Sequence, residues 1–237
     1  MKIAVPSAPA RHSRIVRITH WITMLCFVAL LVSGVEILIS HPRFYWGDAG
    51  NVEQEPWLVI PIPASRGSVP TGYGFVLKDQ NSWSRSLHFQ AAWFVAFAAL
   101  LYFVYGFVRG HFRRNLIPGQ GAWSWSAIAD SFRDHFRPVQ ADEQSGYNLL
   151  QRLSYLGVVF VLAPAMIWTG LAMSPGFIAI FPFPMTVLGG QQTARTIHFL
   201  VTIALALFLI VHVAMVWRYR SVRNVRAMIT GYSKEDE

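Results

Sequence analysis

Apolar residues in this chain come in long runs, not in the alternation of a half-buried strand or the single stripe of a surface helix. Four such runs lie at about 15–40, 83–107, 149–173 and 194–217. At ~1.5 Å of rise per residue, each can carry a helix across the ~30 Å hydrocarbon core of a bilayer. In the last, charge stops at Arg195 and resumes at Arg218, leaving 22 uncharged residues between them. The expected fold is all-α, an integral membrane four-helix bundle forming a single domain over residues 1–237.

Polar, Gly- and Pro-containing stretches separate the runs. From His41 to Ser82, the segments HPRFYWGDAGN and PIPASRGSVPTGYG show no helical period and predict a loop of about forty residues. Long loops often carry partner contacts; His41, Phe44, Tyr45 and Trp46 suit either a docking surface or interfacial anchoring. A basic connection runs from Arg109 to about Gln144, where Trp123, Trp125, Ile128 and Phe132 suggest a short interfacial helix. His111 and His135, set among its arginines, read as solvated or headgroup-facing. Pro164 predicts a kink in the third run. The stretch SPGFIAIFPFPMTVLGGQQ has too many breakers to cross and should lie along the surface or re-enter partly.

Composition fits lipid as the solvent: 54% of the 237 residues are hydrophobic and only 14% charged. In a chain this apolar, the net charge of +8 marks cytoplasmic loops and headgroup contacts of the lipid bilayer; no nucleic-acid-binding motif accompanies it. Of the 20 Lys and Arg residues, 15 fall in the two tails and the 109–144 connection, including the adjoining helix ends. The positive-inside rule then places both termini in the cytoplasm and the 41–82 loop outside, between helices 1 and 2. Cys26 is the single cysteine, which excludes a disulfide, a Cys-ligated cluster or c-type haem attachment within this chain. The basic N-terminus precedes too long an apolar run for a signal peptide and reads as a retained helix.

The histidines carry the candidate chemistry. His198 and His212 are fourteen residues apart in the fourth run, so they return to within ~40° of one direction, ~21 Å apart along the helix. His20 and His88 each lie about one turn inside their runs. With the topology above, His88 matches His198 near the outer face, and His20 matches His212 near the cytoplasmic face. An imidazole in a membrane is costly unless it meets protein, water or a metal. Two imidazoles at one depth suit the axial positions of a six-coordinate haem iron, a centre with no open position that carries electrons. Hydrogen bonding across the bundle is the simpler alternative, and the residues alone leave both open. Arg14 and Arg17 near His20, Arg85 near His88 and Arg195 near His198 are placed either to pair with haem propionates or simply to end their helices in positive charge. Gly34, Gly106 and Gly170 permit close approach of a porphyrin or a helix.

RITHW around His20, HFQAAWFVAF from His88, YGFVRGHFRRNLIP, GLAMSPG, and ARTIHFL followed by VHVAM resemble the thiosulfate-reductase-type cytochrome b subunits. These are similar to the di-haem b membrane subunits of formate dehydrogenase and nickel-iron hydrogenase, and the resemblance runs from about Arg14 to Gly231. It implies two haem b groups, the cytoplasmic one on His20 and His212 and the outer one on His88 and His198. It also implies an electron-transfer and anchor subunit of the bacterial inner (plasma) membrane. Such a subunit exchanges electrons with membrane quinone and serves a periplasmic molybdopterin oxidoreductase-like partner. The HPRFYWG segment matches that subgroup, and the outer loop is where such a partner would dock. Two other expectations compete: a self-sufficient quinone-linked oxidoreductase acting on a small species such as superoxide, and a transporter or anchor whose histidines relay protons.

Overall fold

A backbone in hydrocarbon finds no water to bond and must satisfy itself, so the apolar runs form helices. The computed structural model describes residues 12–50, 54–62, 68–71, 74–77, 83–118, 124–135, 149–218 and 221–232. In chain order come α1 (Arg14–Ser40), strands β1 (Arg43–Phe44), β2 (Leu58–Val59), β3 (Ser68–Thr71) and β4 (Gly74–Leu77), then α2 (Trp83–Val108). Next are α3 (His111–Asn115), α4 (Trp125–His135), α5 (Leu149–Gly157), a π-helical turn (Val158–Leu162) and α6 (Ala163–Ala172). The short α7 (Pro175–Ile178) and α8 (Phe183–Val187) precede α9 (Gln191–Arg218) and α10 (Ser221–Thr230). Four helices are long and apolar enough to cross a membrane: α1, α2, the composite Leu149–Ala172, and α9. The molecule is a mostly helical, multi-pass membrane protein, with two antiparallel ribbons, β1·β2 and β3·β4, added where a loop was expected.

The proline in the third span takes an identifiable form. Pro164 stands in the first turn of α6, lacks an N–H, and so deprives the carbonyl four residues back of its donor. The ladder opens there into the π turn over Val158–Leu162. The segment between α6 and α9, expected to lie along the surface, folds as two single-turn helices with prolines in their first turns.

Packing is the reverse of a water-soluble bundle. Large aliphatic and aromatic side chains at three-and-four spacing face outward: Leu25, Val28, Val32 and Val35 on α1, and Leu200, Ile203, Leu207 and Ile210 on α9. Such stripes need hydrocarbon, not water, against them. The positions buried within the four spans are small, among them Ser33, Ala91, Ala98, Thr169, Ala172, Ala194 and Thr196. Two of the hydroxyls turn back onto the helix ladder: Ser33 donates to Ala29 O at 2.7 Å and Thr169 to Ala165 O at 2.8 Å.

The chain groups into two compact units whose boundaries fall inside the long helices. The termini-bearing unit comprises Met1–Trp21, Ala99–Phe160 and Ala206–Glu237. In it, Trp21 Nε1 donates to Met228 O and Arg17 to Ile229 O, tying α1 to α10, and Gly231, at φ 95°, lies under the Arg17 guanidinium. Phe103, Phe107, Phe112 and Phe160 pack edge-to-face, with ring centres 5.1–5.8 Å apart for Phe112 and its three neighbours. Phe112 fits because Gly106 has no Cβ; a methyl there would fall 2.2 Å from its ring.

The loop-bearing unit comprises Ile22–Ala98 and Val161–Leu205. Here the HPRFYWG stretch is fastened to the first turns of α9. Gly47 O accepts from the otherwise unpaired N–H groups of Gln192 and Thr193, and Gly47 N donates to Thr193 Oγ1 at 2.7 Å. Thr196 Oγ1 donates to Tyr45 O at 2.7 Å, and Arg195 donates to His41 O and Arg43 O. Phe44 stacks on Phe199 at 4.3 Å, and the Arg195 guanidinium lies over the Phe44 ring, 5.0 Å from its centre. Phe44 and Tyr45, read from sequence as a docking surface or as anchors, are instead buried; Trp46 is exposed and packs against the exposed Trp57.

Candidate functional site

His88 is the sixth residue of helix α2, and His198 the eighth of α9. In the loop-bearing unit their ring centres lie 6.3 Å apart, with ring planes at 59°. In the termini-bearing unit, His20 of α1 and His212 of α9 lie 6.4 Å apart at 62°. A metal–imidazole bond of about 2.0–2.1 Å, with about 1.1 Å more to the ring centre, places two rings on one metal about 6.3 Å apart. Both pairs stand at that spacing. Among the described residues, no group of three or more His, Cys, Asp or Glu is placed to hold a bare metal ion. A two-ligand set calls for a metal that brings its remaining ligands with it, as a porphyrin does.

The first pair is held from behind by hydroxyls. Ser33 Oγ lies 3.0 Å from His88 Nδ1, and Thr169 Oγ1 lies 2.9 Å from His198 Nδ1. Beside each hydroxyl is a glycine whose added Cβ would stand 3.6 Å from the ring's Cε1, Gly34 for His88 and Gly170 for His198. Sequence reading singled out the two glycines for close approach but missed Ser33 and Thr169. A short internal repeat was the available signal: Ser33-Gly34 and Thr169-Gly170, followed by Arg85-Ser86-Leu87-His88-Phe89 and Arg195-Thr196-Ile197-His198-Phe199. In each repeat, the odd-numbered span supplies the hydroxyl and the next span the imidazole.

The second pair is surrounded by rings. His20 meets the edge of Trp21 at 5.7 Å, and His212 stacks on Phe208 at 5.6 Å and meets Tyr155 at 6.3 Å. Among the described residues, no side chain hydrogen-bonds a ring nitrogen of His20 or His212.

The arginines are placed differently from one another. Arg17 is half-buried; one Nη donates to Ile229 O, while its Nε is buried with no partner among the described residues. Arg195 is largely committed to Gln192 and the loop carbonyls, leaving a minority of its N–H groups for any further anion. Arg85 is exposed, and with Arg195 and burial it holds the His41 imidazole below its ordinary pKa. His111, expected to be solvated, is half-buried between Tyr102 and Tyr105 and bonded to Asn115 Nδ2 at 2.9 Å. Burial, and then Arg114, lower its pKa. The His135 side chain and Trp123 lie outside the description, whereas α4 occupies the segment where a short helix was expected.

The comparisons with known proteins join this geometry to a family. The model of prokaryotic cytochrome b561 matches residues 11–231. This chain belongs to that family. It is a membrane b-type cytochrome, an electron-transfer subunit carrying haem b. A curated relative from Azospira oryzae is 29% identical over 229 residues, covering 94% of this chain and 97% of the relative. Its name, YedZ1, comes with a provisional description as a protein-methionine-sulfoxide reductase subunit. No solved structure matches. The residues present fit a b haem: paired imidazoles at a shared-iron spacing, and small residues where bulk would block the rings.

Proposed function

We propose that this chain holds two b haems, one on His20 and His212 and one on His88 and His198. It passes electrons between membrane quinone and a periplasmic oxidoreductase subunit, which it also anchors. The observation that carries this reading is the occurrence, twice in one chain, of an imidazole pair at the separation a shared iron requires. Held by His20 and His212 or by His88 and His198, each haem would supply one-electron transfer. The chain's own part is to fix the rings, exclude water with aliphatic helices, and place both termini in the cytoplasm of a bacterial inner membrane. Arg17, Arg85 and Arg195 are the cations available to propionates.

The finer placement among thiosulfate-reductase-type cytochromes rests on the motifs around these histidines. A molybdopterin-dependent partner follows from that subgroup. The Azospira relative's name narrows the chemistry toward reduction of methionine sulfoxide in proteins, and its designation as a subunit favours a partnered chain over a self-sufficient enzyme. The test is haem stoichiometry in the purified protein, by pyridine haemochrome against protein mass. Two haems are expected per chain, with His198→Ala and His212→Ala each losing a different one. A single haem in the parent protein, or full pigment in both variants, overturns the assignment.

A further inference from the structure

The two hydroxyls behind His88 and His198 determine where a proton sits. A serine or threonine has one hydrogen to donate. Ser33 directs its own at Ala29 O, 2.7 Å away, with Leu30 O at 3.2 Å; Thr169 directs its own at Ala165 O, 2.8 Å away, with Met166 O at 3.1 Å. Toward the imidazole each oxygen is therefore an acceptor, and the 3.0 and 2.9 Å contacts require a proton on Nδ1 of both rings. In a neutral imidazole that leaves Nε2 bare, a lone pair ready for a metal. Ser33 and Thr169 are themselves 0% and 1% exposed, so water does not compete for either contact.

We propose that Ser33 and Thr169 are positioning residues that commit both Nε2 lone pairs of this pair to one iron and thereby lower its reduction potential, independently of the centre at His20 and His212. The reason is electronic: an acceptor on Nδ1–H makes the ring a stronger donor through Nε2, which favours the ferric over the ferrous state. Among the described residues, the His20/His212 pair has aromatic neighbours and no such acceptor, so the two centres differ in potential for a cause built into the fold. This inference rests on the two-haem reading above.

The experiment is a spectroelectrochemical titration of the purified, haem-loaded protein, with the wave abolished by His198→Ala taken as that of the first centre. Ser33→Ala and Thr169→Val should each move that wave upward and leave the other in place. The pair together should cost about tenfold in preference for ferric iron, or 59 mV for a one-electron couple. Ser33→Thr and Thr169→Ser, which keep the hydroxyl, should stay at the parent potential. Loss of that haem alone in the Ala or Val variants, with recovery in the hydroxyl-keeping ones, also supports the proposal. An unmoved wave in the double variant overturns it, as does an equal shift in the hydroxyl-keeping variants. A parent protein without two haems instead overturns the two-haem reading on which the inference is built.

Discussion

His88 and His198 are backed by Ser33 and Thr169, whereas His20 and His212 are backed by Trp21, Tyr155 and Phe208, although both pairs stand at nearly the same separation. Spacing alone makes a pair able to share a metal; the residues behind it set the hydrogen bonding of each ring. The internal repeat shows how the two neighbourhoods diverged. His88 and His198 occupy equivalent positions, so the first pair uses both copies of one motif. The second pair does not. Fourteen residues beyond His88 lies Tyr102, where the other repeat has His212, and thirteen before Thr169 lies Leu156, where the first has His20. Neither position offers an imidazole, and Phe112 packs beside Tyr102 at 5.4 Å, with Phe103, Phe107 and Phe160 around it. The copy of the second site has been filled with rings.

The comparison can be broken at several levels. The largest effect is expected from His198→Ala and His212→Ala: haem content should fall from about two to about one per chain, with different absorbance bands lost. Next is the glycine beside each hydroxyl. Gly34→Ala adds a methyl at ordinary contact distance, 3.6 Å from His88 Cε1, and should retain both haems; Gly34→Leu should lose the His88/His198 haem while keeping the other. A smaller, purely structural effect follows at Gly106, where a methyl falls 2.2 Å from Phe112 in a crowded ring cluster. Gly106→Ala should lower stability by about 1–3 kcal/mol, read by thermal melting in detergent, with both haem spectra intact.

These features were unequally legible before the fold was seen. Four spans and four histidines follow from uncharged runs and helical period, because lipid leaves the backbone few alternatives. The hydroxyls were not legible, because a serine or threonine in a membrane helix usually bonds its own backbone; only a neighbouring helix shows what else it touches. Phe44 and Tyr45 illustrate the same limit, since aromatics near an interface look alike whether they face lipid or the loop interior. His111 was placed among arginines and therefore in water, but α3 turns it back between two tyrosines of α2.

That histidine supplies the smallest expected effect. Its folded pKa lies below the ordinary 6.5, so its contribution to stability is complete above that value and is lost as pH falls toward the lowered pKa. Between pH 7.5 and 5.5 the thermal midpoint of the parent should therefore drop more than that of His111→Gln. Equal slopes would mean that the side chain is as solvated in the folded state as in the unfolded one.

Helix α9 carries one histidine of each pair, and this makes its length a ruler. Inserting a single residue between His198 and His212 would swing one ring ~100° away from its partner. The first connection is the longer one, with 53 residues between Gly34 and His88 against 27 between Gly170 and His198. Insertions and deletions among homologues should therefore accumulate in that first connection and be absent from the thirteen positions between the α9 histidines.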